Sequence, residues 1–305
     1  MSTPILRKCL LVIVLAAAVS FAGGFLLRRY LRPQLAATPP EAIHLNRYYH
    51  FTELMRDPAI ECQLLRYQSG FDHSAQTIFV MQPAGHKAEH LFFFFHGMEG
   101  DSGDAVVVRD LVKRYNAAVV SLGGRGPAWV SDAVVADTEQ VIRNRMTGFP
   151  GFYLIGISMG GTQALALAGL LPQDLRQTML GVVALIPGAD LSAIASKSSN
   201  AEVRRTLQAS VNGNTSVLEQ RSPIRLLSQY KSDLPFIIFY DQQDTVLLTP
   251  ELEQFIAGLR NNRHPVTTFA APGEHNFSFG NFDYEGVVKK LGSNLTENQA
   301  PVLGK

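Results

Sequence analysis

Leu91 is followed by four phenylalanines at 92–95, an unbroken apolar run with no polar residue inside it. Successive side chains of a β-strand point to opposite faces, so a strand of this composition has two faces to bury. A helix would have to continue for ten residues or more, whereas this run stops at His96-Gly97. The segment is therefore predicted as an interior strand of a mostly parallel sheet covered by helices on both sides. Apolar runs at 117–122, 152–157, 180–186, 236–240 and 266–270 read as further strands, after an opening pair at 61–68 and 76–82. Between them lie helical patterns at 104–115, on the face made by Val134, Thr138, Val141 and Ile142, and over the Ala/Gly-rich 160–171. Leu252, Phe255, Ile256 and Leu259 mark another helix, and 282–291 reads as a closing one. The polar stretch 190–234, with helical pieces, is too long to be a simple connection between neighbouring strands.

One of these strand-to-helix junctions carries chemistry. Gly156-Ile157-Ser158-Met159-Gly160 is a G-x-S-x-G motif, preceded by a predicted strand and followed by a predicted helix. A serine hydroxyl is a weak nucleophile unless a base removes its proton and a sharp turn holds it exposed. Such a turn tolerates only small residues two positions either side of the serine. An acid and a histidine must then follow, each at the end of a strand. Asp244 follows the strand at 236–240 and His275 follows the strand at 266–270, which gives the chain order Ser, Asp, His. Asp241, three residues earlier, competes with Asp244. Asp244 is preferred because it stands further past the strand and precedes Thr245-Val246, which can re-enter the fold.

The other histidines fit less well. His264 precedes the last strand and so belongs to the wrong end of the sheet, and His44, His50, His73, His86 and His90 precede the core strands. His96 is assigned to bracing the turn His96-Gly97-Met98. That turn can aim the amide of Met98 at the carbonyl oxygen that Ser158 would attack, and with the amide of Met159 it would form an oxyanion hole. No His/Cys cluster has metal-ligand spacing, and Gly123-Gly124-Arg125-Gly126 lacks the Lys-Ser/Thr of a nucleotide loop.

With these motifs in hand, the sequence resembles the α/β-hydrolase superfamily over about 90–277. The resemblance rests on HGMEG at 96–100, GISMG at 156–160, DQQDTV at 241–246 and GEH at 273–275. The run Leu122-Gly123-Gly124-Arg125-Gly126 is similar to an Arg-Gly stretch that many members carry. The resemblance implies an α/β-hydrolase fold, with a mostly parallel eight-stranded sheet flanked by helices and a small cap inserted after strand six, at 190–234. It also implies a two-step mechanism through an acyl-serine on Ser158, with no cofactor. Two departures stand out. Many members have Gly where Asp241 stands, and Glu99 places a carboxylate beside the expected oxyanion hole.

Length and composition set the outer limits. At 305 residues the chain suits one large domain, expected over 51–292, and a net charge of +1 gives no reason to expect a nucleic-acid partner. Cys9 and Cys62 can form neither a disulfide framework nor a metal motif. Residues 9–27 carry no charge, with Arg7 and Lys8 before them and Arg28, Arg29 and Arg32 after. At about 1.5 Å per helical residue such a run nearly crosses a bilayer core of about 30 Å. The segment 1–32 is therefore predicted as a membrane anchor, followed by a linker at 33–50, with the domain facing outward. A signal peptide cleaved near Ser20-Phe21-Ala22 is the alternative and would leave the domain secreted. The tail 293–305 is expected to be loose.

The expected activity is hydrolysis of an acyl ester or thioester, on a small-molecule acyl substrate that could be a lipid. A serine peptidase or acyltransferase using the same triad, or a non-catalytic binding protein of the same fold, are the rival classes. The cap carries Lys197, Arg204, Arg205, Arg221, Arg225 and Lys231 against Asp190, Glu202, Glu219 and Asp233. That balance suggests a mild preference for anionic head groups, with a solvated cap surface as the alternative. The sequons beginning at Asn214, Asn276 and Asn294 are read as coincidental, since a glycan at Asn276 would obstruct His275.

Overall fold

The computed structural model describes residues 36–38 and 57–275. Nine strands form a single sheet in the order β1-β2-β3-β5-β4-β6-β7-β8-β9. They are β1 (Ala36–Thr38), β2 (Ile60–Gln68), β3 (Ala75–Pro83), β4 (His90–Phe95), β5 (Ala117–Leu122), β6 (Phe152–Ile157), β7 (Met179–Leu185), β8 (Phe236–Asp241) and β9 (Val266–Ala271). The first three and the β3–β5 pair are antiparallel, and β5, β4, β6, β7, β8 and β9 run parallel. Eight strands match the expectation. The ninth, β1, lies inside the stretch expected to be linker and pairs with β2.

The phenylalanine run is the centre of this sheet. Phe92, Phe93 and Phe94 are fully buried, and their alternation feeds two different interiors. Phe92 and Phe94 join a core with Phe79, Met81, Val119 and Tyr153, where Phe92 stacks on Tyr153 at 4.7 Å. Phe93 packs edge-on against Phe152 at 5.6 Å. Each buried phenylalanine contributes on the order of 1.5–3 kcal/mol relative to exposure.

The helices are α1 (Arg109–Tyr115), α2 (Asp132–Arg145), α3 (Met159–Leu170), α4 (Gln173–Thr178), α5 (Leu191–Lys197), α6 (Ala201–Ala209), α7 (Thr215–Arg221) and α8 (Thr249–Asn261). The single helix expected over 104–115 is instead a 3-10 stretch, Ser102–Val108, running into α1. Three β-branched valines at 106–108 disfavour α-helix there, and Val108 leaves helical geometry at φ −108° and ψ 17°. Helix α3 is buried from Met159 to Gly169, consistent with its Ala/Gly composition and its place against β6 and β7.

Between β7 and β8 the chain makes the long excursion α5–α6–α7, each helix started by a side-chain cap. Asp190 accepts from Ala193 N, Asn200 from Glu202 N and Val203 N, and Asn214 from Ser216 N. The anchor expected at 1–32 lies outside the described residues. The closing helix at 282–291, the tail and the sequons at Asn276 and Asn294 also lie outside them. Among the described residues no helix is long and apolar enough to cross a membrane.

Candidate active site

Strand order decides where a site can form. The chain leaves β4, adds β5 on one side, then crosses back to place β6 on the other side of β4. Loops leaving neighbouring strands β4 and β6 therefore part at their carboxyl ends, a crevice where open α/β sheets bind ligands. Phe95 and Gly156 sit side by side in register. The turn at 96–98 and Ser158 are thus neighbours by construction.

Ser158 occupies the sharp turn from β6 into α3, with φ 54° and ψ −117°. A side-chain-bearing residue in this region costs on the order of 1–3 kcal/mol, so the surroundings must hold it. Its N–H donates to Leu185 O at 2.8 Å, and its carbonyl accepts from Thr162 N at 3.0 Å. The motif glycines are required by close approach. A Cβ on Gly156 would run into the backbone of Gly160, and one on Gly160 into the carbonyls of Phe95 and His96.

The structure brings the three sequence-predicted residues into one hydrogen-bonded row. Ser158 Oγ lies 2.9 Å from His275 Nε2, and His275 Nδ1 lies 2.7 Å from Asp244 Oδ2. Asp244 is buried, and its Oδ1 accepts from the amides of Val246 and Leu247, both at 2.8 Å. The carboxylate is thereby oriented on one oxygen and free to face the imidazole with the other. The loops carrying Asp244 and His275 are also tied together, by Gln242 N to Ala271 O at 2.9 Å and Gln243 N to Gly273 O at 3.0 Å. Asp241 is buried beside Gly273, where an added Cβ would lie 3.2 Å from its Cγ. Geometry therefore places Asp244, not its competitor, against the histidine.

The turn after β4 lies beside the serine, since a Cβ on Gly97 would come within 4.0 Å of Ser158 Cβ. Met98 is half-buried on this turn and Met159 is buried at the start of α3. Glu99 is exposed. His96 is buried, with Nδ1 2.7 Å from Gly97 O and Nε2 3.1 Å from Gly123 O. It links the turn to the loop after β5. That loop is anchored in turn by Arg125, which donates to Asp137 at 2.6 Å, Asp72 at 2.7 Å and Ser69 at 2.9 Å. The guanidinium holds the Asp72 carboxyl well below the usual carboxylate range.

His264, set aside from the sequence, sits buried at the amino-terminal side of β9, edge-on to Tyr230 and Phe236. Among the described residues no group of His, Cys, Asp or Glu is arranged to hold a metal ion.

Every cation of the excursion already has a protein partner. Lys197 pairs with Glu251 at 3.3 Å and Arg225 with Glu219 at 3.4 Å. Arg205 pairs with Glu202, Arg221 pairs with Asp132, and Arg204 donates to Ser198 O. Lys231 donates to Met179 O at 3.0 Å. What the sequence did not signal is Thr206, whose hydroxyl lies 3.3 Å from Met98 Sδ across 108 residues of chain. No local pattern encodes such a contact.

No family model and no curated protein matches the chain. Solved structures do. An S-formylglutathione hydrolase from Staphylococcus aureus is 15% identical with a TM-score of 0.60, covering 77% of this chain and 99% of its own. Acetyl xylan esterase 1 from a Thermoanaerobacterium species is 15% identical with a TM-score of 0.60, covering 86% and 88%. The acylaminoacyl peptidase of Pyrococcus horikoshii is 14% identical with a TM-score of 0.58, covering 82% of this chain but 43% of its own. The chain thus spans under half the length of the peptidases it matches.

Proposed function

We propose, taking the α/β-hydrolase fold of this chain as the premise, that it is a serine hydrolase cleaving acyl ester or thioester bonds. The observation that carries the reading is the continuous row Ser158 Oγ–His275–Asp244, at 2.9 and 2.7 Å, with the serine held at a strained turn. A structural serine has no need of such a conformation, or of an imidazole so placed.

The reaction follows from the geometry. With Nδ1–H donating to Asp244, the Nε2 lone pair of His275 faces Ser158 Oγ and takes its proton as Oγ attacks the acyl carbon. The carbonyl π electrons move to oxygen, and the amides of Met98 and Met159 stabilise the oxyanion. Collapse breaks the bond to the leaving alcohol or thiol, which carries away the proton from Nε2. Water then attacks the acyl-serine, giving its proton to His275. The second collapse releases the free acid and restores Ser158. Asp244 keeps the imidazole tautomer and balances its transient positive charge.

The excursion α5–α6–α7 is read as the cap of this site. The compact likenesses, which span 88–99% of their own chains, are an esterase and a hydrolase of a thioester-type name, which favours these bonds over amides. The uncharged run at 9–27, flanked by basic residues, supports a membrane tether for the domain. The test of the reaction is a panel of acyl esters, thioesters and amides of graded chain length, with Ser158→Ala as control. Release of free acid from esters or thioesters, absent in the variant, is the expected result. Turnover of amides alone would refute the ester reading.

A further inference from the structure

We infer that Thr206, on helix α6 of the excursion, is a positioning residue that couples this helix to the oxyanion hole; the inference rests on the acyl-serine reading above. The two amides proposed to hold the oxyanion belong to Met98 and Met159, which come from different loops, so something must fix their separation. A closed circuit of contacts joins them. Four residues beyond Met159 on α3, the buried Gln163 donates through Nε2 to Trp129 O at 2.5 Å. Trp129, fully buried, donates from its indole Nε1 to Thr206 Oγ1 at 3.0 Å. Thr206 Oγ1 lies 3.3 Å from Met98 Sδ, which returns the circuit to the turn beside Ser158.

The chemistry at Thr206 is constrained. A hydroxyl has one proton, and Glu202 O at 2.9 Å is the strongest acceptor within reach, one helical turn back. The oxygen lone pairs are then left for the indole N–H, with Met98 Sδ in contact. Because Thr206 is buried, the indole proton has no water to turn to if this acceptor is removed. Trp129 also stands at φ 44°, a conformation a bulky side chain rarely adopts. It is thus held by both ends, by Gln163 at its carbonyl and by Thr206 at its ring. Loss of either grip lets it relax, and Thr206, which touches both the indole and Met98 Sδ, passes the shift to the turn that carries Met98. A shift of the Met98 amide by a fraction of an ångström weakens a bond made mainly in the transition state. The effect belongs in kcat rather than KM.

The experiment compares wild type, Thr206→Val and Thr206→Ser on one p-nitrophenyl ester, with rates referred to competent enzyme titrated by a fluorophosphonate. Val keeps the shape and removes the acceptor, and Ser keeps the acceptor. The expected result is a kcat about tenfold lower in Thr206→Val with KM within about twofold, and a Thr206→Ser variant within about threefold of wild type. Affinity for a trifluoromethyl ketone, whose hemiketal oxyanion occupies the same hole, should fall in parallel with kcat. An unchanged kcat in Thr206→Val, or a loss that Ser does not rescue, overturns the inference. If Thr206→Val does not fold, Trp129→Phe removes the same hydrogen bond from its donor side, and an unchanged kcat there overturns it equally. Wild-type enzyme that the fluorophosphonate does not label would sink the hydrolase reading itself. Labelled wild type with indifferent variants would sink only the role of Thr206.

Discussion

Asp244 meets His275 with one carboxylate oxygen, 2.7 Å from Nδ1, while its other oxygen is held by the amides of Val246 and Leu247. That division of labour makes the pair directional. Asp244→Asn keeps the shape but can present an N–H to Nδ1, which leaves the proton on Nε2 and the serine without a base. A fall in kcat of about ten-thousandfold is expected, with little change in KM. Asp241→Asn should cost less than about tenfold, because it is Asp244 that hydrogen-bonds His275 Nδ1. Steady-state kinetics of the two variants check the assignment, and the reverse ranking would move the acid to Asp241.

Gly160 has no room for a methyl group, since a Cβ would enter the carbonyls of Phe95 and His96. Gly160→Ala must push α3 away from the end of β4, which carries the serine turn with it. A loss of about 1–3 kcal/mol in denaturant unfolding is expected, together with loss of ester turnover. A variant with both stability and turnover intact would show that the packing at this junction is looser than described.

His264 is buried among Tyr230 and Phe236, and desolvation lowers its pKa below the ordinary histidine value. The fold therefore favours the neutral ring. Its contribution to stability is complete above the unfolded-state value of about 6.5 and declines as pH falls through that value towards the lower folded one. Urea midpoints at pH 7.5 and 5.5 should separate more for wild type than for His264→Phe. An equal separation would remove His264 as a source of acid sensitivity.

Cys62 packs half-buried against the core, and burial pushes its thiol up to about 12, aided by Asp57 and Glu61. Little thiolate is then present near neutrality. Iodoacetamide at pH 8 should alkylate Cys62 slowly in the folded protein and readily in urea, as read by peptide mass. Equal rates in the two states would contradict the packing described for β2.

The apolar run at 9–27 gives a separate expectation. Full-length protein should remain with membranes after alkaline carbonate washing, and a chain lacking residues 1–32 should stay in solution and still react with the fluorophosphonate. Release of the full-length chain by carbonate would refute the tether.

Much of this architecture was legible because it is encoded locally. The run at 92–95 could only be a strand covered on both faces, and Gly156, Ser158 and Gly160 stood at a strand-to-helix junction where sterics leave few choices. Ser158, Asp244 and His275 were found through chain order and strand ends, and the structure joins them by hydrogen bonds. Other features escaped for physical reasons. Strand β1 is three residues long and owes its existence to pairing with β2. The helix expected over 104–115 broke where three valines crowd the backbone. Charges set only against one another within 190–234 also find partners far along the chain, as Arg221 does with Asp132. Thr206 came into view only when α6 was folded against Met98 and Trp129.

The most direct measurement is covalent labelling with a fluorescent fluorophosphonate, followed by peptide mass to locate the adduct. One adduct per chain is expected on Ser158, abolished in Ser158→Ala and strongly slowed in His275→Ala. Absence of labelling in the wild type, or labelling that survives in Ser158→Ala, would contradict it.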